Sequence, residues 1–226
     1  MEAFENAVAL GYRYVETDAH VTRDGVIVAF HDDHLDRVTD RTGAIEDLTW
    51  DEVSQARIDA RAPIPLLEEL LTTWPSLRIN IDAKHDTVVD PLVGLLKRLH
   101  VLDRVCIGSF SDRRLERVRS LLGPEVCTSM GPKAVAKVRA MSFGVGRSIP
   151  VGDCLQVPTH SGRVRLVDPR FIRVAHEHGL PVHLWTIDDD EEMHRLLDLG
   201  VDGIMTDRPA ALRAVLEARG AWHTTS

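Results

Sequence analysis

The sequence predicts an α/β fold, a (β/α)₈ barrel from which the first strand is missing. Three observations carry this. Short β-rich runs alternate with amphipathic stretches along all 226 residues, and repeated strand–helix units require a parallel sheet with helical crossovers. The β-rich runs number seven, at residues 14–18, 77–82, 105–110, 126–129, 154–158, 182–187 and 203–206. That is one short of a closed eight-stranded barrel, which typically takes about 250 residues. The chain also opens directly in an amphipathic stretch, residues 2–10, with no strand ahead of it. An open seven-stranded barrel would leave two unpaired edges, which proteins avoid. An N-terminal strand unit of about 25 residues is therefore expected to be missing.

The helical patterns fall at residues 2–10, 66–73, 88–99, 113–122, 134–140, 169–178, 191–199 and 210–219. Gly11, Gly123, Gly179 and Gly200 follow four of them directly, which predicts left-handed caps. Asp24-Gly25 inside residues 21–31 is a hairpin signal. The connection is too short for a parallel return, so residues 26–31 should run back antiparallel to the first strand. That brings His31 to where Glu16 and Asp18 end. Residues 32–65 read as a long irregular connection, and nothing in residues 1–226 reads as a linker, so one domain is expected.

Composition narrows the function. There are 27 basic against 35 acidic side chains, a net charge of −8, and 44% hydrophobic residues. An acidic balance without a basic stripe argues against nucleic acid or anionic lipid as the partner. No apolar run is long enough to span a membrane, so no integral membrane association is expected. Cys106, Cys127 and Cys154 lie 21 and 27 residues apart. That spacing suits neither a disulfide framework nor a zinc site. It reads as three buried thiols in a reducing compartment, hence a cytoplasmic protein. Oligomeric state is not legible.

In the run Tyr14 to His20, the side chains Glu16, Asp18 and His20 fall at i, i+2 and i+4. On a strand they share one face, at the C-terminal end where such barrels build their sites. The acids alone could equally cap the next element or pair with arginines. Asp82 and Lys84 repeat the arrangement on the next strand. Three carboxylates converging at about 4 Å repel by roughly 4 kcal/mol per pair at an effective dielectric near 20. A cation resolves this, and all-oxygen donors favour Mg²⁺ or Ca²⁺ over Zn²⁺. Lys84 suits an anionic phosphate oxygen, or it is simply the counter-ion. His31, followed by Asp32 and Asp33, is either a carboxylate-held acid or base or a surface turn. His20 is a fourth site residue or merely lines the mouth, and His34, His176, His178, His194 and His223 read as surface. Trp185 ends a strand, where it packs on a ligand or in the core. Thr206 or Asp207 reads as a structural cap.

Several segments in register resemble the glycerophosphodiester phosphodiesterase family. They are Glu16-x-Asp18, Thr22-x-Asp24-Gly25-Val26, Phe30-His31-Asp32, Leu35-Asp36-Arg37-x-Thr39, Ile64-Pro65-x-Leu67-x-Glu69, Asp82-x-Lys84, Ser109-Phe110, Trp185-Thr186 and Asp202-Gly203-Ile204-x-Thr206-Asp207-x-Pro209. The resemblance implies a TIM barrel of the phosphodiesterase type that binds one divalent cation. Its reaction is hydrolysis of a small glycerophosphodiester to glycerol 3-phosphate and an alcohol. Carried over by position, Glu16, Asp18 and Asp82 are metal ligands, His31 is one of two catalytic histidines, Lys84 meets the phosphate and Trp185 lines the pocket. Asp82 stands where the family usually has glutamate.

The family also opens with a His-Arg-Gly strand bearing the second histidine, then a Pro-Glu-Asn segment with a further metal ligand. Met1 aligns just after these. The resemblance therefore implies an active parent and a crippled or inactive chain as written. The alternatives are a barrel acting on lysophospholipids or sphingomyelin, which releases a cyclic phosphate, or a non-catalytic member that binds metal or phosphodiester without turnover.

Overall fold

The computed structural model describes residues 1–222, so His223 lies outside the described residues. The chain divides into two compact units, residues 1–127 and 128 onward.

In the first unit, helix α1 (Glu2–Ala9) carries Glu2 and Glu5 in its first turn, where negative charge complements the helix dipole. Its partly buried Phe4 and Val8 pack on the core. Strand β1 (Tyr14–Val21) turns at Asp24-Gly25 and returns as β2 (Ile27–Ala29). The pairing is antiparallel, Ala19 opposite Ala29 and Val21 opposite Ile27. Gly25 has φ 87°, a conformation that favours glycine. The Thr22 hydroxyl donates to Asp24 Oδ1 at 2.6 Å and accepts from the Val26 amide at 3.0 Å, closing the turn.

Residues 32–65 differ from the irregular connection expected. They contain α2 (Trp50–Val53) and a small hairpin of β3 (Arg57–Ile58) and β4 (Ala62–Pro63). Thr49 and Glu52 form a reciprocal capping box at the start of α2, satisfying helix amides that would otherwise lack partners. Leu35, Ile45, Val53, Ala56 and Ile64 pack with Val28 and Phe30 into a second hydrophobic cluster. Elements of two to four residues are too short to display a periodicity, so only the packing reveals them.

The unit continues through α3 (Leu67–Thr73), β5 (Arg78–Ala83), α4 (Val89–Leu99), β6 (Val105–Gly108), α5 (Asp112–Leu122) and β7 (Cys127–Thr128). The sheet order is β2-β1-β5-β6-β7. β1 runs parallel to β5, from Tyr14 opposite Arg78 to Ala19 opposite Ala83, and β5 runs parallel to β6. Ile79, Ile81 and Ile107 of the strands are buried with Leu92 and Leu96 of α4 and Leu115 and Val118 of α5. One helix end departs from expectation: Gly123 after α5 has φ 81° and ψ −169°, outside the left-handed helical region. α4 ends at His100, a non-glycine in the left-handed region.

The second unit holds α6 (Pro132–Met141), β8 (Leu155–Val157), a hairpin of β9 (His160–Ser161) and β10 (Val164–Arg165), α7 (Pro169–Glu177), β11 (Val182–Leu184), α8 (Asp190–Leu199), β12 (Gly203–Ile204) and α9 (Pro209–Ala218). Its parallel sheet has the order β12-β11-β8. Asp168 caps α7 and Asp189 caps α8 by accepting first-turn amides, as short acids do at that position. All seven strands expected from the sequence form, most of them a few residues shorter than read.

All three cysteines are free, but Cys106 and Cys127 are only half-buried, against the expectation of three buried thiols. Among the described residues no helix is long and apolar enough to cross a membrane.

Candidate active site

Strand alternation places Glu16, Asp18 and His20 on one face of β1. The parallel register sets Asp18 opposite Asp82 and Glu16 opposite Asn80. Asp18 and Asp82 are 9% and 8% exposed. Lys84, one residue past β5, puts its Nζ 2.7 Å from Asp18 Oδ1 and 3.3 Å from Asp82 Oδ2. Burial pushes the Asp18 carboxyl above the usual carboxylate value, and the Lys84 hydrogen bond only partly opposes this. For Lys84, burial works to lower the pKa, but hydrogen bonding to Asp18 and the two negative charges outweigh it and hold the ammonium above its usual value.

The far end of β5 is itself braced. Ser109 Oγ and Arg114 Nη1 donate to the Ala83 carbonyl at 3.0 and 2.6 Å, and Arg114 Nη1 also donates to Ser109 Oγ at 2.8 Å. Ser109 belongs to the family-like segments, whereas Arg114 lies in an ordinary helical pattern and carries no sequence signal.

His31 begins the loop after β2. The Phe30 amide donates to the Asp18 carbonyl at 3.0 Å, which fixes the loop's root on β1 beside the carboxylates. The His31 side chain is 73% exposed, and its Nδ1 lies 2.6 Å from Asp32 Oδ1. Arg37 grips Asp32 with a two-pronged fork, Nε to Oδ2 at 2.6 Å and Nη2 to Oδ1 at 2.8 Å. Hydrogen bonding from Arg37, then from His31, holds the Asp32 carboxyl well below the ordinary carboxylate range. Only the fold of the loop brings Arg37 back to Asp32.

His20 is 3% exposed, its Nε2 lies 3.3 Å from the His31 carbonyl oxygen, and burial pushes its pKa down. Trp185 follows β11 in the second unit and is half-buried, not a core tryptophan. Thr206 is not itself the α9 cap. Its hydroxyl donates to Asp188 Oδ1, which also accepts the Asp207 amide.

The structure thus gathers Asp18, Asp82 and Lys84 and sets His31 beside them. Glu16 is exposed on the same face. Two buried carboxylates facing one ammonium leave an excess of negative charge, and every donor is oxygen. That donor set suits a hard divalent cation.

Residues 1–211 match the glycerophosphoryl diester phosphodiesterase family. The chain is 43% identical to a probable glycerophosphodiester phosphodiesterase 2 of Mycobacterium tuberculosis, over 98% of this chain and 86% of that protein. It superimposes on a putative glycerophosphoryl diester phosphodiesterase of Silicibacter pomeroyi with a TM-score of 0.80 at 22% identity, covering 99% of this chain and 90% of that one. It also matches an Oleispira antarctica phosphodiesterase in complex with the product sn-glycerol-3-phosphate, at TM-score 0.78 and 21% identity over 95% of this chain and 90% of that one. These likenesses establish the TIM-type α/β fold. Together with the match over residues 1–211, they show that this chain belongs to the glycerophosphoryl diester phosphodiesterase family.

Proposed function

We propose that this chain acts on glycerophosphodiesters, hydrolysing them to glycerol 3-phosphate and an alcohol. The supporting observation is the Asp18–Lys84–Asp82 cluster with the Arg37-braced Asp32–His31 pair rooted on its edge. Asp18, Asp82 and Glu16 are the residues to hold a divalent cation, Mg²⁺ or Ca²⁺. When bound, such an ion stabilises charge on phosphoryl oxygens.

The remaining chemistry belongs to the chain's own side chains. Lys84 is held protonated by its two acidic neighbours, so it presents a permanent positive charge to a phosphate oxygen. Asp32 accepts from His31 Nδ1, which orients the ring and leaves Nε2 as the base for the substrate's glycerol hydroxyl. Because Arg37 keeps Asp32 ionised, this orientation persists over the whole neutral range. His20 lines the same face of β1 as Asp18. The attack closes a cyclic glycerol phosphate as the alcohol leaves with a proton from solvent water, and a second water opens the ring to glycerol 3-phosphate.

We read the chain as a single cytoplasmic domain that takes a small-molecule substrate. The three free cysteines support the compartment. The test is ³¹P NMR of glycerophosphocholine and glycerophosphoethanolamine incubated with the chain and either Mg²⁺ or Ca²⁺. Accumulation of glycerol 3-phosphate is expected. A persistent cyclic phosphate would instead identify the lysophospholipid or sphingomyelin type of reaction. Binding of glycerol 3-phosphate with no turnover would overturn the reading in favour of a non-catalytic binder.

A further inference from the structure

A second constellation lies beside the carboxylate cluster and is not explained by it. His20, Asp33 and His85 each bring one donor atom to within 4.8 Å of the others. His85 Nε2 lies 2.9 Å from Asp33 Oδ1, and His20 Nε2 lies 3.9 Å from the same oxygen. The two imidazole rings are 5.5 Å apart, tilted by 49°. The three come from separate places: His20 from β1, Asp33 from the loop after His31, and His85 from beyond the end of β5. They surround a cavity of about 80 Å³, whose walls also include His34 and Glu46.

From this geometry we infer that His20, Asp33 and His85 form a second metal site, selective for a borderline divalent transition ion such as Zn²⁺. Two donors each about 2.0–2.1 Å from a tetrahedral ion stand roughly 3.4 Å apart. The observed 2.9 and 3.9 Å separations bracket that figure and the third pair lies within 4.8 Å, so the donors close in on the ion as His20 Nε2 gives up its contact with the His31 carbonyl oxygen. Two imidazoles with one carboxylate select transition ions, whereas the all-oxygen set of Glu16, Asp18 and Asp82 selects Mg²⁺ or Ca²⁺. His34 or Glu46 lies in the same cavity as a candidate further ligand, and the space left admits water. The ion ties the loop carrying His31 to the end of β5, because Asp33 and His85 belong to those two segments. The site is thus distinct from the one implied by the family reading, and it adds a clip that holds the histidine loop.

The test uses Co²⁺ as the probe, since its visible absorption reports imidazole ligation directly. The full chain is freed of metal with chelator, placed in excess Mg²⁺ to occupy the oxygen site, and titrated with Co²⁺. Absorption saturating at one equivalent is expected in the wild type and in Asp18→Asn. In His85→Ala the affinity should fall at least tenfold, since even outer-shell changes around a metal cost 10–100-fold. Asp33→Asn, altering an exposed carboxylate, should weaken binding in the same direction and serves if His85→Ala does not fold. No saturable absorption in the wild type overturns the inference. So does absorption that survives His85→Ala or Asp33→Asn unchanged, or that is lost in Asp18→Asn alone. The readout is spectral, so an inactive chain with an intact Co²⁺ signature would sink the hydrolytic reading and leave this site standing.

Discussion

The carboxylate end of β1 and β5 and the histidine loop after β2 hold neighbouring parts of one candidate site by opposite means. On the strands, Asp18 and Asp82 are buried and fixed by a parallel register that sets them directly opposite. On the loop, His31 is mostly exposed and is held by one neighbouring carboxylate, itself held by Arg37. In the first region charge and fold are inseparable, because removing Lys84 leaves two buried acids facing each other. In the second, chemistry rides on a small cluster of apolar side chains at a distance from the reactive ring. Activity and stability should therefore move together on the strands and separately on the loop.

His31→Ala is the sharpest way to test that contrast. The turnover number should fall by about 10²–10⁴-fold, as loss of a general base does. The free energy of unfolding should change by no more than about 0.5 kcal/mol, as for an exposed substitution. A large loss of stability in this variant would break the distinction. Lys84→Met should lower the rate by about 10²–10³-fold. It should also destabilise the fold by roughly 3 kcal/mol, the lower end for breaking a buried ion pair, since Lys84 retains some exposure. Chemical denaturation beside an activity assay reads both effects.

Phe30→Ala probes the support beneath the loop. Phe30 is buried in the cluster with Leu35, Ile45 and Ile64, and its truncation should cost about 3–5 kcal/mol. Activity lost in that variant should return in part at lower temperature, where the loop refolds. Thr49→Ala removes one half of the capping box on α2 and should cost about 1 kcal/mol, visible as a shifted denaturation midpoint.

The smallest effect lies in the acid limb. Asp32 has a folded pKa below its ordinary 3.8, so its contribution to stability is present above that value. It is lost as pH falls through the folded pKa. Arg37→Ala, by raising the folded pKa towards 3.8, should lower stability slightly near neutrality, where this contribution is fully present, and converge on the wild type at the acid end, so that its stability curve is shallower below about pH 4.

The legible parts of this molecule are those governed by local spacing. Alternation at i and i+2 put Glu16 and Asp18, then Asp82 and Lys84, on shared strand faces. Asp24-Gly25 announced the antiparallel return that brings His31 back to β1. These depend on backbone geometry that each short segment carries by itself, so the strand positions, the hairpin and the faces on which the candidate site residues stand could be read without coordinates. Other features depend on segments far apart in the chain. The cluster around Phe30, the Arg37 fork on Asp32, the Arg114 brace on Ala83 and the meeting of His20, Asp33 and His85 each join side chains by tertiary packing. Periodicity fixes only which way a side chain faces. Which partner it meets is decided when the loop of residues 32–65 buries its own apolar residues, and that is why only the tertiary structure revealed the second histidine site.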